Sequence, residues 1–127
     1  DQLSSNLPHL DAVVHEVLRM HPPLWETTGV AADNDIIPLS VPVRTTDNKL
    51  VDRISIVAGQ TVSVAIHTVN CSTSIWGADA KEFKPQRWVD EGGAQGKAKE
   101  IQGYCHLLTF TDGPRTCLGR AFALAEF

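Results

Sequence analysis

Ten consecutive residues near the end of the chain, Phe110-Thr-Asp-Gly113-Pro-Arg115-Thr-Cys117-Leu-Gly119, set a sulfur beside a cation and between two glycines. At average residue usage, phenylalanine, two glycines, arginine and cysteine at these offsets coincide on the order of once in ten million starting points. Cys117 is expected to stand just before a helix that begins around Leu118, where unpaired amides and the positive end of the helix dipole favour the thiolate. A thiolate held there is a ligand for iron. Gly113 and Gly119, having no side chain, let a flat macrocycle approach the backbone, and Phe110 supplies an apolar wall. Arg115 can pair with a carboxylate of the same ligand through a charge-assisted hydrogen bond. A lone cysteine is as readily a buried free thiol, and it is the surrounding glycines and arginine that weigh against that reading.

A second constellation is Glu16-Val-Leu-Arg19. From Leu7 to Met20, the apolar residues Leu10, Val13, Val14, Val17 and Met20 recur at three- and four-residue intervals, which predicts an amphipathic helix. Asn6 can cap it, Pro8 is tolerated in its first turn, and His21 followed by Pro22-Pro23 ends it. The stripe centred on Leu10, Val14 and Val17 faces the core, so Glu16 and Arg19 point away from it. Alone, such a pair is a solvated contact contributing ~0.2 to 0.5 kcal/mol.

The elements between these two motifs must position them. After the prolines the chain is extended, and between Ile36 and His67 the period becomes two: Val41-Pro42-Val43, Ile54-Ser55-Ile56-Val57 and Thr61 to Ile66. Asp47-Asn48 and Ala58-Gly59-Gln60 predict two hairpin-like connections. In the last of these runs Val62, Val64 and Ile66 share one face and Ser63, Ala65 and His67 the other, as in a sheet covered on one side. From Thr68 to Thr109 the chain reads as a long meander with one short helical candidate, Asp79 to Phe83. Such a stretch needs neighbouring elements or a ligand to lie against. A helix-like run, Leu118 to Phe127, follows without a stop signal.

With 127 residues, the chain has the length of one ordinary domain. Its 43% apolar and 20% charged residues describe a globular chain rather than a disordered tail. A net charge of -4 gives no basic stripe for nucleic acid. No apolar run approaches the ~18 residues of a membrane span, and Asp1 to Asn6 show no targeting pattern. Cys71, Cys105 and Cys117 do not make a disulfide framework, and they are best read as reduced thiols. A zinc site from Cys71, Cys105, His106 and Cys117 is disfavoured because structural zinc ligands usually come in closely spaced pairs. Trp25, Trp76 and Trp88 lack the interleaved basic residues of a single-strand-binding platform and read as packing residues.

The ten-residue loop resembles the cysteine loop of the cytochromes P450, the haem-thiolate monooxygenases. Glu16-Val-Leu-Arg19 resembles the family's Glu-x-x-Arg motif, and Phe83-Lys-Pro85-Gln-Arg87-Trp88 its downstream arginine-bearing loop. Asn70, Trp76-Gly77 and the Phe122-Ala-Leu-Ala-Glu126 run are similar to those of fungal members, so the resemblance covers essentially the whole chain. It implies an α+β set of elements, the C-terminal portion of a mainly helical fold: helix, small β-sheet region, meander, cysteine loop and the start of a final helix. It implies that residues 1–127 form a partial domain, too little to fold cooperatively or to catalyse alone. Cys117 would be the axial ligand of haem b, with Phe110, Gly113, Arg115 and Gly119 around the cofactor. Glu16 would be buried between Arg19 and Arg87 in a structural network.

By the same resemblance, the activity is insertion of one atom of O2 into an organic substrate, with electrons from an NADPH-dependent diflavin reductase; the stretch around Leu24 to Gly29 is apolar to neutral, which favours a lipophilic substrate. The parent protein would sit at the endoplasmic reticulum membrane, touching it only through an N-terminal part preceding Asp1. Two departures stand out. Gln86 replaces a glutamate common in relatives, and no arginine stands near Gly29 to reach a haem propionate, which leaves that task to Arg115 and residues elsewhere. A haem-thiolate isomerase or dehydratase is the alternative enzyme, though such relatives often alter the loop spacing, which here is regular. A truncated product that binds haem without catalysis is the alternative outside the enzymes.

Overall fold

The structure, a computed structural model, describes residues 7–90 and 94–127. They form two compact units, one of residues 7–26 with 65–90 and 94–127 and one of residues 27–64. Mixed helices and small antiparallel sheets make up the whole, as the α+β reading expects.

The first unit opens with helix α1, Pro8–Met20. Its start carries a proline, whose missing amide costs nothing in the first turn. Asn6, the expected cap, lies outside the described residues. At the other end His21 donates its amide to the Val17 carbonyl at 2.7 Å before Pro22-Pro23 prevents another turn.

The face that α1 buries differs from the apolar stripe. Ala12, Val14, His15, Glu16, Leu18 and Arg19 are buried. Leu10 is 43% exposed and Val13 38% exposed, while Val17 and Met20 are half-buried. Periodicity ranks residues by apolarity and cannot see that a carboxylate and two guanidiniums satisfy one another, which lets a charged face enter the core.

After α1 the unit resumes with three short helices, α2 (Ile66–Asn70), α3 (Thr73–Trp76) and α4 (Gln86–Asp90), and closes with α5 (Arg120–Glu126). Single-turn 3-10 segments lie between α4 and α5. The core is made by Val14, Leu18, Trp76, Ala80, Ala94, Ala98, Leu107 and Phe110. Four expectations need correction here, the first being the single helical candidate between Thr68 and Thr109, since α3 and α4 both lie in that stretch. Ile66 belongs to α2 rather than to a strand: one helical turn brings Ile66 and Asn70 onto one face, and both are fully buried. Asp79–Phe83 is a turn and not a helix: the Asp79 carbonyl receives the Glu82 amide at 3.0 Å as well as Arg87, and the carbonyls of Ala80 and Glu82 are taken by Arg19 instead of by amides one turn on. The final helix begins at Arg120, two residues later than expected, with Gly119 as its cap.

In the second unit, β2 (Asp35–Arg44) and β3 (Leu50–Ile56) form the expected hairpin over Asp47-Asn48, with Asn48 at φ 65°. The pairing register shifts between Pro38 and Val43, where Pro38 and Pro42 have no amide to give to a ladder. The Ala58-Gly59-Gln60 turn makes a different connection from the one expected. Gly59 takes φ 83°, and Ala31 exchanges backbone hydrogen bonds with Gly59 and Gln60, so the chain leaves β3. Strand β4 (Thr61–Val64) pairs with β1 (Thr27–Val30), in the stretch read only as extended. Nor does β4 have a covered face: Val62 is half-buried and Val64 is exposed.

One buried amide ties three segments of the first unit together. Asn70 donates through Nδ2 to Thr109 Oγ1 at 2.9 Å and accepts the Leu108 amide at 3.0 Å, while Thr109 Oγ1 donates to the Leu18 carbonyl at 2.7 Å. Replacing Asn70 by alanine leaves the Leu108 amide without its partner, at about 1–3 kcal/mol, and removes a second hydrogen bond worth about 1 kcal/mol from Thr109 Oγ1, which keeps the Leu18 carbonyl. Asn70→Ala is therefore expected to lower the unfolding free energy of the full-length protein by about 2–4 kcal/mol, read from the urea midpoint.

Candidate functional site

The charged face of α1 meets the segment 79–88. Arg19 grips Glu16 in a bidentate pair, Nε to Oε2 at 2.9 Å and Nη2 to Oε1 at 2.8 Å, with both side chains fully buried. Arg87 adds its Nε to Glu16 Oε1 at 3.2 Å. The Lys84 amide reaches the same oxygen at 2.8 Å, and Trp88 Nε1 donates to Oε2 at 2.9 Å. Burial alone would raise the Glu16 pKa, but Arg19, the Lys84 amide and the Trp88 indole outweigh it and hold the carboxyl below its ordinary value.

Two guanidiniums around one carboxylate leave excess positive charge, and the surrounding backbone answers it. Arg19 Nη1 donates to the Asn70 and Ala80 carbonyls at 2.9 and 2.6 Å, and Nη2 to the Glu82 carbonyl at 3.1 Å. Arg87 Nη2 reaches the Asp79 carbonyl at 3.2 Å and Nη1 the Asp79 carboxylate at 3.4 Å. Lys84 Nζ pairs with the other Asp79 oxygen at 2.9 Å. Neither Asp79 nor the Trp88 indole nor the Lys84 amide was read as part of this network. Trp88 stands next to Arg87 in the motif, but nothing in its residue type announces a hydrogen bond to a carboxylate.

The cysteine loop hangs from the same unit. Phe110 is buried in the core, its ring edge-on to Tyr104 at 5.8 Å between centroids, and its carbonyl receives the Cys117 amide at 2.9 Å. Gly113 takes φ 67°, a backbone state in which any side chain is strained, with open space where a Cβ would stand. Thr111 Oγ1 lies 2.7 Å from the Phe110 carbonyl and 2.8 Å from that of Arg115, and Thr116 Oγ1 donates to the Gly113 carbonyl at 2.8 Å. These two threonines brace the loop, and neither was singled out from the sequence. Hydroxyls returning to nearby carbonyls are ordinary turn chemistry, so composition gave no special signal.

Cys117 presents its sulfur on the surface, three residues before the first residue of α5. That distance is longer than the sequence reading placed it, so the dipole of this short helix counts for less than expected. A Cβ on Gly119 would stand 3.9 Å from Cys117 Sγ, which puts Gly119 on the sulfur's own side. Arg115 is exposed in the 3-10 turn Gly113–Arg115. Leu118 and Phe122, beside the sulfur in the chain, are exposed apolar residues. An accessible soft donor, a glycine that leaves room, an exposed cation and uncovered apolar side chains fit a flat, apolar, iron-bearing macrocycle with anionic edges. Among the described residues no cluster of three or more histidine, cysteine or acidic side chains could hold a bare metal ion.

The cytochrome P450 family model matches residues 1–127. The chain belongs to the cytochrome P450 family. It is 57% identical over 127 residues to cytochrome P450 monooxygenase claU of Ampulloclitocybe clavipes, covering all of this chain and 24% of the relative. Cytochrome P450 monooxygenase claP of the same fungus is 58% identical over 127 residues, again all of this chain but 23% of the relative. Cytochrome P450 monooxygenase 128 of Postia placenta is 41% identical over 127 residues, 99% of this chain and 22% of the relative. The chain thus spans about a quarter of the length of the curated relatives it matches. P450 proteins are haem proteins, and the residues around Cys117 are compatible with that cofactor. Among the described residues no helix is long and apolar enough to cross a membrane.

The Glu16 network makes a prediction with a definite sign. Because the folded carboxyl titrates below its reference value of 4.5, its contribution is fully present above that pH and is lost as the pH falls through the folded value. Glu16→Gln should cost about 3–5 kcal/mol at neutral pH, since it leaves two guanidiniums buried against a neutral amide. It should also flatten the acid limb of stability against pH below 4.5, measured by urea unfolding of the full-length protein from pH 7 downward.

Proposed function

We propose that the full-length protein is a haem-dependent monooxygenase that inserts one atom of O2 into an organic substrate. The observation that carries this reading is the exposed Cys117 sulfur in a braced loop with open backbone at Gly113 and apolar side chains beside it. The names of the fungal relatives support it.

In this reading Cys117 Sγ would ligate the iron of haem b. Arg115 would pair with a propionate, Gly113 and Gly119 would leave room for the ring, and Phe110 backs the loop from the core. When bound, the thiolate-ligated haem supplies electron-rich iron for dioxygen activation. The protein's own contribution is positional. The Phe110 carbonyl and the Thr111 and Thr116 hydroxyls fix the backbone that carries the sulfur. The Glu16, Arg19 and Arg87 network ties α1 to the segment leading to that loop, so it acts on the sulfur through structure and not by contact.

Residues 1–127 are read as part of a larger domain, the remainder of which covers Leu10 and Val13. Electrons come from an NADPH-dependent diflavin reductase, and the parent protein is held at the endoplasmic reticulum membrane by a segment outside this chain. Leu24 and Trp25, both exposed after α1, favour a lipophilic substrate.

The test is Cys117→Ser in the full-length protein. The variant is expected to lose the ferrous carbonyl Soret band that marks a thiolate-ligated haem. Retention of that band would sink the assignment. Glu16→Ala is expected to abolish haem incorporation, read from the same reduced carbon-monoxide spectrum, and an unchanged spectrum would remove Glu16 from any role in holding the loop.

A further inference from the structure

A second sulfur has its own built surroundings, away from the Cys117 loop. His15, on α1, is buried at 7% exposure, and its Nε2 lies 3.0 Å from Cys105 Sγ. Its other nitrogen, Nδ1, is 2.8 Å from the Asp11 carbonyl oxygen. A carbonyl can only accept, so Nδ1 carries the proton and the Nε2 lone pair is left facing the thiol. The imidazole packs against the Trp88 and Tyr104 rings, with centroids at 5.1 and 5.7 Å. Cys105 itself adopts φ 51° and is followed by His106 at φ 61°, two consecutive non-glycine residues in the left-handed region. Neither the Glu16 network nor the Cys117 loop uses this pair.

We propose that Cys105 is a hydroperoxide-reactive thiol for which His15 is the proton acceptor. The sulfur is only partly exposed, so the reagent must be small. The attack also gives the imidazole a proton that a departing oxygen needs, and a hydroperoxide meets both conditions. In the step, the Cys105 S–H proton passes to His15 Nε2 as the sulfur attacks the terminal peroxide oxygen. An S–O bond forms and the O–O bond breaks. The sulfur is oxidised to sulfenic acid, and the peroxide is reduced to an alcohol or, for hydrogen peroxide, to water, with the imidazolium proton going to the leaving oxygen. Burial pulls the His15 pKa down, but Cys105 and Asp11 more than compensate and hold it above its ordinary value, which suits a proton acceptor. The other titratable groups facing the pair are the Asp11 carboxylate, 3.4 Å from Nδ1, and Tyr104, which has the Arg120 guanidinium over its ring at 5.4 Å.

The experiment treats the haem-loaded full-length protein with excess hydrogen peroxide, traps sulfenic acid with dimedone, and follows the Cys105 peptide by mass spectrometry. The rate is compared in the native and urea-unfolded states at one pH. A thiol that is merely half-buried reacts more slowly when folded, whereas one served by His15 reacts faster, on the order of a hundredfold at the lower end of what a positioned proton acceptor contributes. Buried Cys71, with His67 Nε2 at the longer distance of 3.7 Å from its sulfur, is the internal control for burial and should react more slowly in the folded state. His15→Gln should bring the native Cys105 rate down to the unfolded value or below. A native rate below the unfolded rate in the unsubstituted protein overturns the proposal, and so does a His15→Gln protein that keeps the unsubstituted rate. If His15→Gln does not fold, the native and unfolded rates of the unsubstituted protein decide the matter.

Discussion

A carboxylate with no access to water must find every one of its hydrogen bonds inside the protein, and Glu16 finds five. Two come from Arg19, one from Arg87, one from the Lys84 amide and one from the Trp88 indole. The donors come from α1 itself and from the short stretch 84–88. Satisfying this one group therefore dictates where that stretch lies against the helix. A buried charge is costly unless its partners are fixed in advance, so the network favours one arrangement of the segment over its alternatives.

The irregularity of the chain between α3 and α4 follows from the other ends of the same arginines. Helices and sheets satisfy carbonyls with amides, but here the carbonyls of Ala80 and Glu82 face the Arg19 guanidinium, and that of Asp79 shares the Glu82 amide with Arg87. A backbone held in this way need not be regular to be well satisfied. This explains why residues 77–85, rich in charge and carrying no clear period, stay in turns although nothing in them forbids a helix except Gly77 and Pro85.

What could be read from the residues, and what could not, divides along this line. The loop around Cys117 was legible because glycine at a positive φ, arginine and cysteine are chemically distinctive and adjacent in sequence. The hairpin over Asp47-Asn48 was legible because its turn residues announce their own backbone angles. The buried face of α1 was hidden, since its order is set by partners about 70 positions away that no local window contains. The pairing of β1 with β4 was hidden for the same reason: Thr27 meets Val64 across an entire intervening hairpin. His15 and Cys105 are 90 residues apart, and neither carries a local signal that points to the other.

The two sulfurs share one support. Thr109, which receives Asn70 and donates to the Leu18 carbonyl, is the last residue before Phe110 and stands four positions after Cys105. On its far side the Phe110 carbonyl fixes the Cys117 amide, and on its near side the Tyr104 ring packs against both Phe110 and His15. A displacement of α1 large enough to break its ion pairs would thus disturb both sites together, through packed rings and shared backbone. The converse does not hold. Chemistry at Cys105 touches the rim of α1 through His15, a residue whose ring contacts Trp88, yet it removes none of the five hydrogen bonds that hold Glu16. The network can accordingly remain intact while the second sulfur reacts, because the interaction that fixes the helix and the one that faces the thiol use different side chains of neighbouring residues.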